Sequence, residues 1–130
     1  MKDEIKNESC NSALEKSFSF ALRIVKLYQH LSEKKKEFVL SKQVLRSGTS
    51  IGANLEGSRG AQTPSDFQTT ISIAYKEARE TSYWLRLLFA SKYLTERQFA
   101  SLHADCEELI RMLGSTQLTM KTKLQKGQKS

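Results

Sequence analysis

Helix breakers are scarce in this chain. One Pro and six Gly in 130 residues leave few places where a helix must stop, and no β-rich segment stands out. No run approaches the roughly 18 apolar residues of a bilayer-spanning helix. The opening MKDEIKNESC is polar and mixed in charge, without the apolar stretch of a secretory signal, so a cytoplasmic location is expected. The two cysteines, Cys10 and Cys106, lack the spacing of a metal or redox pair and read as free thiols. The Gly-rich signatures of the P-loop and the dinucleotide fold are missing, and no local signature supports a Ser-His-Asp nucleophile. The two histidines, His30 and His103, have Leu27 and Ala100 three residues before them, so neither forms the Glu-x-x-His pair of a carboxylate-bridged metal site. His103 and Cys106 share a helical face, but two ligands do not make a zinc site. No cofactor is expected.

What is present is helical patterning on an ordinary globular background of 38% hydrophobic and 27% charged residues, at a length that suits one domain. Ser12 and Glu15 stand at the spacing of a capping box, which predicts a first helix from Ser12. Its main apolar stripe is Leu14, Phe18, Ala21, Val25 and Tyr28, widened by Leu22, Ile24, Leu27 and Leu31. A helix apolar over so much of its circumference touches more than one neighbour. The charged SEKKKE (residues 32–37) links it to a second helix over 38–56. There Val44, Gly48, Ile51 and Leu55 share a face with Leu45 and Gly52 beside it. Two Gly four apart in a helix predict the close approach of another backbone. Gln43, Ser47, Ser50 and Asn54 form a polar stripe, read either as a solvated face or as a buried seam between subunits. GSRGAQ (residues 57–62) ends this helix, with Gly supplying the left-handed terminal geometry.

Thr63, Pro64 and Asp66 are the N-cap, first position and first-turn acid of a third helix. Phe67, Ile71, Ala74, Ala78, Thr81, Leu85 and Leu88 then alternate four and three, a heptad-like seam. Ile73, Trp84 and Leu87 lie on a different face, so this helix needs two sets of partners. Thr95 and Gln98 form a second capping box, followed by the seam Phe99, Leu102, Cys106, Leu109 and Leu113, with Gly114 a plausible stop unless Leu118 and Met120 extend the helix. The chain thus divides into a polar tail (1–11), an antiparallel, up-and-down all-α four-helix bundle (12–118) and a basic tail (119–130).

The net charge is +7, and Lys121, Lys123, Lys126 and Lys129 in the tail supply more than half of it. Further basic residues cluster at Lys34, Lys35 and Lys36 in the first link, at Lys42 and Arg46 on the second helix and at Arg59 after it. Lys76, Arg79 and Arg86 accompany Tyr83 and Trp84 on the third. Basic groups beside aromatic ones can hold phosphates and stack bases, which makes Lys42, Arg46, Arg59, Lys76, Arg79, Arg86, Lys121 and Lys123 the candidate nucleic-acid contacts. Gly48, Gly52, Asn54, Trp84 and Leu87 are the candidate oligomer contacts. One enzymatic alternative is weighed: some helical ribonucleases carry Arg followed by His with four to six residues between, which Arg97 to His103 and Arg23 to His30 satisfy. A loose pattern found twice specifies little, and acid–base catalysis needs a positioned partner.

Three stretches together, SFSFALRIVKLYQHL (17–31), KEFVLSKQVLRSGTSIGANLEGSRGAQTPSDF (36–67) and ISIAYKEARETSYWLRLL (71–88), resemble the bacterial four-helix-bundle proteins encoded within intervening sequences of 23S ribosomal RNA genes. That family also includes the accessory variability determinant of diversity-generating retroelements. The similarity covers about residues 17–113, and its most specific part is RSGTSIGAN followed by IA-KEA-E-YWL-LL. One local difference is Gly57, where a second acid or Ala often follows Glu56. The resemblance implies a four-helix protomer, a ring-shaped homopentamer and no established enzymatic activity. The retroelement relatives bind nucleic acid and associate with a reverse transcriptase. Partners expected on this basis are further copies of the chain and RNA or DNA, with a reverse transcriptase or another protein recruited to the ring as the scaffold alternative.

Overall fold

The computed structural model describes the backbone of residues 2–128 and the side chains of residues 11–123, 125 and 126. It contains four helices: α1 (Lys2–Glu33), α2 (Leu40–Ser58), α3 (Pro64–Ala90) and α4 (Glu96–Gln128), with no strand among the described residues. The links are too short to let the chain cross over, so successive helices fold back on one another. Cross-helix partners confirm the opposed directions. Gly48 lies against Ile24 and Gly52 against Ser17. Ser82 reaches His103, and Gln117 reaches Ser72. Lys16 pairs with Glu108, and Arg23 with Asp105. The α1–α4 pair closes the bundle more loosely than the other three, through these ion pairs and the Arg23 bonds to Ser101.

The α3 seam packs as the alternation predicts: Ile71, Ala74, Ala78, Thr81, Leu85 and Leu88 are all buried. On α4, Leu102, Cys106, Leu109 and Leu113 face them. The reading of α1 needs correction. Its core side is Ala13, Ser17, Phe20, Ile24, Leu27 and Leu31. Of the stripe taken as the main one, Phe18 is 67% exposed and Val25 also lies at the surface, as does Leu22 (51%) beside them, while Leu14, Ala21 and Tyr28 are half-buried and Leu14 packs against the core. Small residues on the core side, Ala13 and Ser17, let α2 approach closely there, and periodicity alone cannot rank two apolar stripes on one helix.

The helix termini divide in the same way. Thr63 accepts a hydrogen bond from the Asp66 N–H at 3.0 Å. The Thr95–Gln98 box is reciprocal, at 2.9 and 3.1 Å. Ser12 is not a cap, because α1 already runs from Lys2; residues 2–11 hold no Gly or Pro to stop it. Cys10 falls in this extension, its side chain outside the described ones. Gly114 does not end α4, which continues to Gln128 and turns most of the basic tail into helix. A side chain at Gly114 would press on the Tyr75 ring, 3.2 Å from the Cβ position, so this Gly makes room for α3. The end of α2 is capped by Arg59 in right-handed geometry, and no described Gly has positive φ. Instead the left-handed positions are Lys36 (φ 55°) and Lys92 (φ 70°).

The N-terminus of α2 is held by a device that the sequence analysis passed over. Glu37, buried at the end of the Lys-rich link, accepts hydrogen bonds from the N–H groups of Val39 (3.0 Å), Leu40 (2.8 Å) and Ser41 (2.6 Å). Burial by itself would raise the Glu37 pKa. The backbone N–H donors, helped by the Ser41 side chain, outweigh it and hold the carboxyl below its ordinary value of 4.5. A depressed carboxylate stabilises the fold above its unfolded pKa, and that contribution disappears as pH falls through the folded value. Glu37→Ala should therefore lower stability by about 1–2 kcal/mol at pH 7. Urea titrations should show the difference shrinking as the pH is taken below about 4. An equal difference at pH 7 and pH 3 would contradict the cap.

Candidate nucleic-acid interface and assembly faces

The structure sorts the candidate cations into paired and unpaired groups. Arg46 is spoken for: its guanidinium bonds Glu80 at 2.9 Å and Glu77 at 3.2 Å across the α2–α3 groove. The Glu80 hydrogen bond, reinforced by the charges of both acids, raises its pKa further. Arg59 has Glu56 at 3.8 Å on its own helix turn. By contrast, Lys42, Lys76, Arg79 and Arg86 are exposed, and among the described residues none has a carboxylate within 4.0 Å. On α3, Lys76, Arg79, Tyr83 and Arg86 recur at three and four residues, which puts them on one outward stripe. Tyr83 is half exposed, and the Arg86 guanidinium lies 6.0 Å from its ring centre. Ser72 and Ser82 join α4 while Glu77 and Thr81 join α2. The helical period therefore puts Arg79 and Arg86 on the α4 flank, and Ile73 and Trp84 on the α2 flank. Lys121 and Lys123 sit on the last turns of α4, at the opposite end of the bundle from Lys42 and Arg86.

The candidate assembly residues are redistributed as well. Gly48 is buried inside the protomer: a methyl group placed on it would lie 2.9 Å from both Cγ1 and Cγ2 of Ile24. Gly52 faces the Ser17 hydroxyl in the same way, at 3.2 Å. The close backbone approach foreseen from their spacing is thus made by α1 of the same chain, not by another subunit. Of the polar stripe of α2 only Ser47 is buried, accepting from Thr81 at 2.9 Å in the α2–α3 contact. Gln43, Ser50 and Asn54 are half-buried, and the amide nitrogen of Asn54 donates to the Ser50 carbonyl of its own helix at 2.8 Å. Trp84 and Leu87 are half buried; Trp84 packs against the core and meets Tyr83 edge to face at 5.0 Å. Two outward apolar faces remain. One is the α1 stripe Phe18, Leu22 and Val25, bordering a groove floored by Gly52 and Ala53 of α2. The other is the α2 flank of α3, with Ile73 and Trp84.

One polar cluster resembles a catalytic arrangement and is not built as one. Ser82 Oγ lies 3.0 Å from His103 Nε2, and Glu107 Oε1 lies 3.3 Å from the same nitrogen. A nucleophile triad needs the hydroxyl on one ring nitrogen and the acid on the other; here both meet one nitrogen, and Ser82 is buried. The His103 ring stacks on Phe99, which stacks on Phe89, at centroid distances of 4.8 and 4.6 Å. No hydrogen bond joins His103 to Arg97, or His30 to Arg23. Arg23 is instead held by Ser101 and Asp105. Cys106 donates to the Ala78 carbonyl at 3.3 Å, and burial, with the charges of Glu107 and Asp105, pushes its thiol up to about 12. Among the described residues no three His, Cys, Asp or Glu side chains are grouped to hold a metal, and no helix is long and apolar enough to cross a membrane.

Comparison with known proteins agrees with this architecture. Residues 11–115 match the family model described as 23S rRNA-intervening sequence protein. A crystal structure of a protein of unknown function from the S23 ribosomal protein family of Bacteroides thetaiotaomicron is 48% identical, with a TM-score of 0.82; the match covers 83% of this chain and 96% of that one. No curated protein matches the chain significantly.

Proposed function

The chain belongs to the 23S rRNA-intervening sequence protein family, and from that premise we propose that it is a non-enzymatic, oligomeric subunit that binds nucleic acid through its basic surface, without reading sequence. The observation that carries this reading is the α3 stripe. Lys76, Arg79 and Arg86 are exposed, have no carboxylate of the described residues within 4.0 Å and flank the ring of Tyr83. Unpaired cations can neutralise phosphates, and the aromatic ring offers a stacking face.

Phosphate contacts make binding steeply salt-dependent. For about four contacts, affinity for a structured RNA should fall on the order of 100-fold between 50 and 200 mM salt. Filter binding at the two concentrations measures this, and weak, salt-insensitive retention would refute it. Arg79→Ala and Arg86→Ala should each weaken binding more than Arg46→Ala, whose charge Glu77 and Glu80 already offset.

Assembly is the second part of the proposal. α1 and α3 sit diagonally in the bundle, and their apolar patches are separate surfaces, one facing outward from α1 and one on the α2 flank of α3. Two different, non-overlapping apolar patches support a head-to-tail contact between copies, which either closes into a ring or propagates. The five-membered ring implied by the resemblance is one closed solution.

A further inference from the structure

Among the described residues, the two non-Gly positions held at positive φ are both lysines, Lys36 and Lys92. They sit in the α1–α2 and α3–α4 links, which the up-and-down topology brings to the same end of the bundle. Lys92 occupies the left-handed position of a Schellman ending of α3: the Tyr93 N–H bonds the Leu88 carbonyl and the Lys92 N–H bonds that of Phe89. Gly is the ordinary residue there, because an L side chain crowds its own backbone at that φ. The chain has six Gly and places none of the described ones at such a φ. At the two positions where Gly would relax the backbone, it carries an exposed ammonium instead.

The surroundings are of the same sign. Lys34, Lys35, Lys36, Lys92 and Arg97 are exposed at this end, with no carboxylate of the described residues within 4.0 Å of any of them. The acids here are Glu33, Glu37 and Glu96, and Glu37 is turned inward onto the backbone of α2. Lower down, Lys16, Arg23 and Arg46 are each paired across helices. Cross-helix ion pairs therefore take up these three cations, while the cations of the loop end have no such pair among the described residues. Ring faces adjoin them: Phe38 is half exposed two residues from Lys36, and the Phe89–Phe99–His103 stack begins three residues before Lys92. The α3 stripe runs into this end through Arg86.

We infer that the loop end formed by the α1–α2 and α3–α4 links is a contact surface for the nucleic-acid backbone, with Lys36 and Lys92 held at left-handed positions to present their charges. The inference rests on the nucleic-acid reading above and locates it. A polyphosphate strand uses both features of the surface, cations for phosphates and rings for bases. An acidic polypeptide would use only the first.

The test is fluorescence anisotropy of a labelled single-stranded RNA of about 20 nucleotides on the full chain. Lys36→Gly combined with Lys92→Gly should melt no lower than the parent, because it relieves the backbone, yet bind RNA roughly 20-fold more weakly near 0.1 M salt if two phosphate contacts are lost. Lys34→Ser with Lys35→Ser, at positions without positive φ, should weaken binding in the same direction. Parent-like RNA affinity in both double variants overturns the loop-end assignment and leaves nucleic-acid binding elsewhere on the chain intact. Failure of the parent itself to bind overturns both readings. Polyglutamate binding as tightly as the RNA shows that the occupant is an acidic polymer without bases, and overturns the assignment too.

Discussion

Gly48→Leu should destroy the fold. Ile24 is fully buried, and its two γ carbons lie 2.9 Å from where a Cβ at position 48 must stand. Real Cβ atoms essentially never approach that closely, and a β-branched side chain locked in the core has no free end to swing away. Four extra carbons in this contact would push α1 off α2 along a line that includes the Gly52–Ser17 approach. Overpacking by single methylenes already costs about 1–3 kcal/mol, so a loss above about 5 kcal/mol is expected, comparable with the whole stability of many domains. Circular dichroism melts of Gly48→Leu should show little or no cooperative transition. Gly48→Ala should be milder, since about 1 kcal/mol of helix propensity opposes the clash. Ile24→Ala should partly rescue it by removing both offending carbons, with a coupling that a double-mutant cycle reads directly. Gly57→Ala is the control, because nothing lies within 4 Å of its Cβ position. If Gly48→Leu melted within a few degrees of the parent, the α1–α2 contact would be wrong.

The second large effect concerns assembly. Phe18→Glu combined with Leu22→Glu should leave the bundle folded, because both side chains are more than half exposed, and should reduce the particle to the mass of one chain. Each apolar side chain buried in an interface contributes roughly 1.5–3 kcal/mol, and a buried, unpaired carboxylate opposes association further. Light scattering on the parent and the variant decides the matter. A parent at single-chain mass would end the oligomer proposal. A variant that kept the parent's larger mass would move the interface off α1. Trp84→Glu examines the other apolar face, but Trp84 also packs on the core, so its fold must be checked by near-ultraviolet dichroism first.

Most of the larger corrections share a physical cause. Several signals carried along one helix were legible, the Thr63 and Thr95 caps, the Pro64 start and the α3 seam, although the Ser12–Glu15 spacing and Gly114 marked no helix end. Signals that depend on what lies opposite were not legible. Two apolar stripes run along α1, and the one richer in large residues is the more exposed one. The buried stripe includes Ala13 and Ser17 because α2 comes closest there. Arg46 looked like a free cation until α3 brought Glu77 and Glu80 to it from more than thirty residues away. The Ser82–His103–Glu107 cluster likewise joins two helices, and no spacing in the chain announces it.

By itself, the sequence determined a chain of helices, the two well-capped starts, the small face of α2 and a basic excess, since each follows from residue type and helical period. Contacts between helices fix which segment approaches Gly48 and Gly52, which cations are left unpaired and which apolar face of α1 stays exposed. Those outcomes turn on distances between segments remote in sequence, and burial and charge pairing exist only once the helices have met. The lysines at Lys36 and Lys92 belong to that second group: composition shows their charge, but only the closed bundle brings their links to the same end.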